Sequence, residues 1–241
     1  MFGRIYILAA FLMPLFVTAS VAQVMTEAPG WRQQAVDHLT KGGSAIIESD
    51  LTGSGLRCVR MNNYGCIMQP SGDTWNGSIG RDSVGHAVFS SPEWSIRAVV
   101  RDYCSKHARG VRSALALSEA YSPWCDTLGT VGVRGNWGRS CRTGPQPPPD
   151  FGGPLCSRPA DGEPAPGQCA SCNCPSRVAE RLVAGLGMSV TEPLGLFAED
   201  GTPDADRLKS VLRNKMRVEL GGFMPTDAVL DQGIDLHGPC A

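Results

Sequence analysis

The sequence predicts a mainly α protein whose helices are joined by irregular, glycine-rich loops and held together by disulfide bonds. Three observations lead there. Segments with helical apolar spacing and clear start and stop signals recur along the chain, whereas strand signals are few and short. Ten cysteines, an even number, follow an amino-terminal segment of export type. The 29 glycines and 18 prolines imply much loop without reaching the level of a disordered chain.

Length and charge narrow the classes. The chain has 241 residues, room for one domain or two and for a substantial core. Its 22 basic and 23 acidic residues give a net charge of −1, so no basic excess exists to track a phosphate backbone. Nucleic acid is not expected as a partner.

Arg4 precedes an apolar run from Ile5 to Val17, and Thr18-Ala19-Ser20-Val21-Ala22-Gln23 follows with small residues at the −3 and −1 positions. This reads as a signal peptide over residues 1–22, cut after Ala22. The run falls short of the roughly 20 residues of a spanning helix, so no stable membrane span is expected after cleavage. A retained anchor is the competing reading. A periplasmic or secreted location follows from export.

The cysteines Cys58, Cys66, Cys104, Cys125, Cys141, Cys156, Cys169, Cys172, Cys174 and Cys240 all lie beyond the cleavage point. They read as a disulfide set whose pairing the sequence does not fix. Zinc held by Cys156, Cys169, Cys172 and Cys174 is the alternative, but a second C-x-x-C knuckle is missing. No metal and no cofactor is expected.

After the signal peptide, residues 23–141 form one unit, residues 142–175 a linker, and residues 176–241 a helical carboxy-terminal segment. The linker carries nine prolines and five glycines, Pro147-Pro148-Pro149 among them. The first helix runs from about Trp31 to Leu39 and is interrupted by Gly42-Gly43. The clearest helix begins at Ser91-Pro92-Glu93, with serine as cap, proline at the first helical position and an acid in the first turn. Ile96, Val99, Val100, Tyr103 and His107 make one apolar stripe on it, and Gly110 closes it. A short helix follows from Arg112 to about Tyr121. Beyond the linker, Ser176 opens a helix with Val178, Leu182 and Leu186 inward, ended by Gly187. Thr202-Pro203-Asp204 opens another with Leu208, Val211, Leu212 and Met216 inward, and Thr226-Asp227 caps a last turn.

Chemistry is harder to find. No nucleophile elbow, P-loop, dinucleotide fingerprint or His-Glu-x-x-His pattern is present, and His38, His86, His107 and His237 are scattered. Glu48 follows Ala45-Ile46-Ile47, and an acid beside an apolar pair can have its pKa raised by desolvation, as a general acid requires. With Gly65-Cys66-Ile67-Met68-Gln69 downstream, this segment faintly resembles lytic transglycosylases; a solvated carboxylate at a loop edge is the alternative. Glu93 is the second candidate acid. Its place in the first turn of a helix stabilises the ionised form, which opposes any effect of burial.

A longer series of motifs runs from Asn62-Asn63-Tyr64-Gly65-Cys66-Ile67 through Trp75-Asn76-Gly77, Gly80-Arg81-Asp82 and Ser91-Pro92-Glu93-Trp94 to Tyr121-Ser122-Pro123-Trp124. Over residues 57–128 it resembles the phage virion structural-protein family of lysozyme-like, cell-wall-associated type. Tyr64, Cys66 and Ser95 depart from that family's pattern, which has proline, asparagine and glycine there. The resemblance implies a small lysozyme-like domain over residues 23–141 and engagement of peptidoglycan, with other envelope proteins as further partners. Asn62, Asn63, Trp75 and Asp82 would contact the glycan, and Glu48 or Glu93 would protonate the glycosidic oxygen if the strand is cleaved. A second carboxylate is usually needed for that chemistry, and Asp73 and Asp82 are the nearby ones. A non-catalytic structural or binding module of an envelope or phage-derived assembly is the alternative. Arg97 is expected to pair with Asp82 and fix the glycine-rich loop against the helix.

Overall fold

The structure, a computed structural model, describes residues 23–53, 56–70, 72–121 and 175–240. The signal peptide, the linker apart from Pro175, and Cys125, Cys141, Cys156, Cys169, Cys172, Cys174 and Trp124 lie outside the described residues.

The fold is mixed α/β, not mainly α. About 44% of the described residues are helical and about 14% extended, and two small antiparallel sheets are present. The strands are two to four residues long. Alternation of apolar and polar residues cannot show itself over so short a run, which is why the sequence concealed them.

Helix α1 (Trp31–His38) leads directly into strand β1 (Leu39–Lys41). Gly42 and Gly43, with φ of 59° and 85°, then turn the chain into β2 (Ser44–Ala45). Both central residues of this two-residue hairpin need positive φ, so the glycine pair makes a strand turn here and does not merely stop a helix. A 3-10 turn (Glu48–Asp50) and the short α2 (Arg57–Arg60) follow. Strands β3 (Ser78–Arg81) and β4 (Ala87–Phe89) pair as the second sheet.

The chain leaves β4 and enters α3 (Pro92–Ala108) within two residues, with Ser91 extended at the cap position. Ile96, Val99, Val100 and Tyr103 of the expected stripe are buried. His107, at its end, lies edge-on to Phe197, with ring centres 5.4 Å apart. Helix α4 (Ala114–Tyr121) completes this half of the chain.

The carboxy-terminal segment is built into the same core. Helix α5 (Pro175–Leu182) precedes α6 (Ala205–Glu219). The carboxylate of Asp204 accepts the Arg207 N–H at 2.9 Å and so caps α6. Leu208, Val211, Leu212 and Met216 are fully buried on α6, each burial contributing about 1.5–3 kcal/mol. Strand β5 (Phe223–Pro225) pairs antiparallel with β1, giving the sheet order β2-β1-β5 and joining the two ends of the described chain. Helix α7 (Asp227–Asp235) lies against α3, where Gly233 faces Ile96. Among the described residues, two disulfides are formed. Cys58–Cys66 closes the loop after α2, and Cys104–Cys240 ties α3 to the carboxy terminus. Among the described residues, no helix is long and apolar enough to cross a membrane.

Candidate functional site

The loop between α2 and β3 and the turn after β4 bring Asn62, Tyr64 and Ser90 to the start of α3. Asn62 sits in the left-handed region at φ 50°, which its short polar side chain tolerates. That conformation points its amide nitrogen at the Phe89 and Ser90 carbonyls, both at 3.4 Å. Asn63 is fully buried and its side chain is consumed internally: it donates to the Ile67 and Ala87 carbonyls and accepts the Ile67 N–H, at 2.9 to 3.0 Å. Trp75 is half-buried and its indole N–H donates to the Met68 carbonyl at 2.8 Å. Trp94 packs its ring against Gly77, where an added Cβ would stand 2.1 Å from the Trp94 ring.

Asp82 is also turned inward. One carboxylate oxygen accepts the backbone N–H groups of Val84, Gly85 and His86 at 2.7 to 2.9 Å, and the other is bound by the Arg57 guanidinium. Burial pushes its pKa up, but the hydrogen bonds from His86 N–H, Arg57 and Val84 N–H and the adjacent imidazole outweigh this and hold the carboxyl below its ordinary value. Its cationic partner is therefore Arg57. Arg97, expected to pair with it, donates instead to the Leu236 carbonyl at 3.1 Å and lies over the Trp94 ring. The reason is direction: Arg97 projects toward the end of α7, while Arg57 on α2 faces the β3–β4 loop.

The two candidate acids fall in different settings. Glu48 is exposed in the 3-10 turn, and Ile47 beside it is itself 63% exposed. Glu93 is half-buried in the first turn of α3, with its Oε2 shut away from solvent and without a hydrogen-bond partner. Tyr64 lies close by. Its backbone N–H donates to Ser95 Oγ at 3.0 Å, and Ser95 Oγ donates on to the Pro92 carbonyl, which staples the Tyr64 loop to the start of α3. The phenol is fully buried. Burial first, then the Glu93 carboxylate and the Asp37 carboxylate of α1, push its pKa up.

Gln34, one turn from Gly30 on α1, completes the cluster by donating to the Ser90 carbonyl at 3.2 Å. At the amino end of α1, an open hollow of about 430 Å³ is lined by Glu27, Ala28, Pro29, Gly30, Trp31 and Arg32. The candidate site is thus Glu93, Tyr64, Asn62 and Gln34 with Asp37 at its margin, while Glu48, Asn63, Trp75 and Asp82 lie outside it. Sequence reasoning missed Gln34, Asp37 and Tyr64 as site residues. Tyr64 carried a signal, since it stands where the resembled family has proline; Gln34 and Asp37 carried only their shared place on one short helix.

Comparison of the chain with known protein families, curated proteins and solved structures finds no match.

Proposed function

We propose that this is an exported, disulfide-braced protein that binds peptidoglycan through the Glu93–Tyr64 cluster without cutting the glycan strand. The site rests on one observation: Gln34, Asn62, Tyr64 and Glu93, residues tied to the start of α3, each hold a buried polar atom with no hydrogen-bond partner. Such groups are costly unless a partner, an ordered water or a ligand, meets them. The cell wall as ligand rests on the ordered motifs of residues 57–128 and on the export-type amino terminus. The disulfides Cys58–Cys66 and Cys104–Cys240 fit an oxidising compartment. Binding is favoured over cleavage because Asp82, the expected second carboxylate, is committed to its own loop.

One observation favours a second reading, in which the strand is cleaved. Glu93 Oε2 is shut away from solvent at the start of α3, and Glu93 would then serve as the acid. Incubating the mature, oxidised protein with purified peptidoglycan sacculi separates the readings. Binding predicts co-sedimentation with no new muropeptides, reduced about tenfold by Glu93→Gln and unchanged by Glu48→Gln. Products that vanish in Glu93→Gln establish cleavage. Protein that stays in the supernatant with no product contradicts both.

A further inference from the structure

The chain that follows α7 is fixed to α3 at two points. Arg97 Nε donates to the Leu236 carbonyl at 3.1 Å, and Cys240 is bonded to Cys104. Arg97, Arg101 and Cys104 fall at offsets 0, 4 and 7 on α3, so they share one face over about 10 Å of helix. Residues 236–240 therefore run along that face, and His237 lies over the turn that carries Arg97 and Arg101. Arg101 is exposed and Arg97 and His237 are half-buried, so none of the three is closed to solvent.

No carboxylate answers this group. Among the described residues, none lies within ion-pair distance of Arg97, Arg101 or His237, Glu93 of α3 and Asp235 of α7 included. Asp102 of α3 is held by Lys106 and Tyr121. Asp200, in the turn that Cys240 meets, accepts the Thr202 N–H. His237 Nδ1 lies 2.7 Å from the Gly238 carbonyl, which can only accept, so Nδ1 carries the hydrogen and Nε2 is left to take a second proton. Burial first, then the charges of Arg97 and Arg101, hold this imidazole below its ordinary 6.5, against the support that the Gly238 carbonyl gives the protonated ring.

Like charges gathered without a counter-charge select an anion. Two guanidinium forks and an imidazolium suit the oxygens and double charge of a phosphate better than the single charge of a carboxylate. We infer that Arg97, Arg101 and His237 form a binding site for a phosphate group. The site shares no residue with the Glu93–Tyr64 cluster, so it stands or falls apart from the peptidoglycan reading.

Titration of the mature, oxidised protein with sodium phosphate at constant ionic strength, with sodium chloride alone as control, tests the site. The NMR signals of the His237 ring and the Arg97 Nε–H should shift to saturation with phosphate only. At saturation the His237 pKa should stand about one pH unit higher, because the bound anion offsets the two arginines. Arg101→Gln should weaken binding at least about tenfold while signals from α6 stay in place. Equal shifts in chloride, a His237 pKa that does not rise, or an Arg101→Gln variant that binds as well as wild type overturns the inference. Flotation with phosphatidylcholine vesicles, with and without phosphatidic acid, then decides the source. Flotation that needs both phosphatidic acid and Arg101 assigns the phosphate to a lipid headgroup. Saturable phosphate binding without flotation assigns it to a soluble phosphate ester.

Discussion

Asp82 shows how a residue chosen for the right reason can serve another end. A polar acid in a glycine-rich loop beside tryptophans suggests sugar binding, but three backbone N–H groups and Arg57 enclose the carboxylate. Asp82→Asn should lower stability by about 1.5–3 kcal/mol in urea unfolding, because charge-assisted hydrogen bonds are lost in a buried place. The pH dependence has a definite sign. The folded carboxyl lies below its ordinary 3.8, so its contribution is complete above that value and is lost as pH falls through the folded one. His86 adds an earlier stage. Burial first, then the charge of Arg57, hold its imidazole below 6.5, so the unfolded chain takes up the proton first and stability falls as pH drops below 6.5. His107 and His237 shift the same way, burial being the leading cause in each. His86→Gln should therefore flatten part, not all, of the decline in Tm between pH 6.5 and 5, and an unchanged slope would exclude the role of His86.

Among elements, α3 was legible because its signals are local. Serine, proline and acid open it, four buried apolar residues share one face, and a glycine follows it. The sheets were not legible, because β1, β2 and β5 are short and β5 lies far from β1 in sequence. Their pairing is a tertiary event. The site suffers from the same limit: Gln34 and Glu93 stand on different helices and meet only through the Ser90 turn. The α3–α7 contact offers a test at this scale. On propensity alone, Gly233→Ala in α7 should stabilise the helix by about 1 kcal/mol. A Cβ there would stand 2.4 Å from Ile96 Cγ2 and 2.9 Å from the Glu93 carbonyl. Overpacking costs about 1–3 kcal/mol, so the variant should be less stable than wild type, and sacculus binding should weaken because α3 is pushed at Glu93. A more stable variant would refute the close packing of α7 on α3.

The described chain is closed by its two ends: β5 pairs with β1, and Cys240 is bonded to Cys104. Cys104 and Cys240 are 136 residues apart in sequence, against 8 for Cys58 and Cys66. By loop entropy, removing the long bridge should cost about 5 kcal/mol and the short one about 2.6 kcal/mol. Cys104→Ser with Cys240→Ser should thus lower Tm more than Cys58→Ser with Cys66→Ser, and the reverse order would show that the loop-entropy account does not govern this fold. Under the proposed function, the same oxidised molecule is the one that meets the cell wall. Co-sedimentation of mature, oxidised protein with purified sacculi, wild type beside Glu93→Gln, reads that directly. The wild type should pellet with the sacculi and the variant should lose binding about tenfold. Wild-type protein left in the supernatant, or a variant that pellets equally well, would contradict the account.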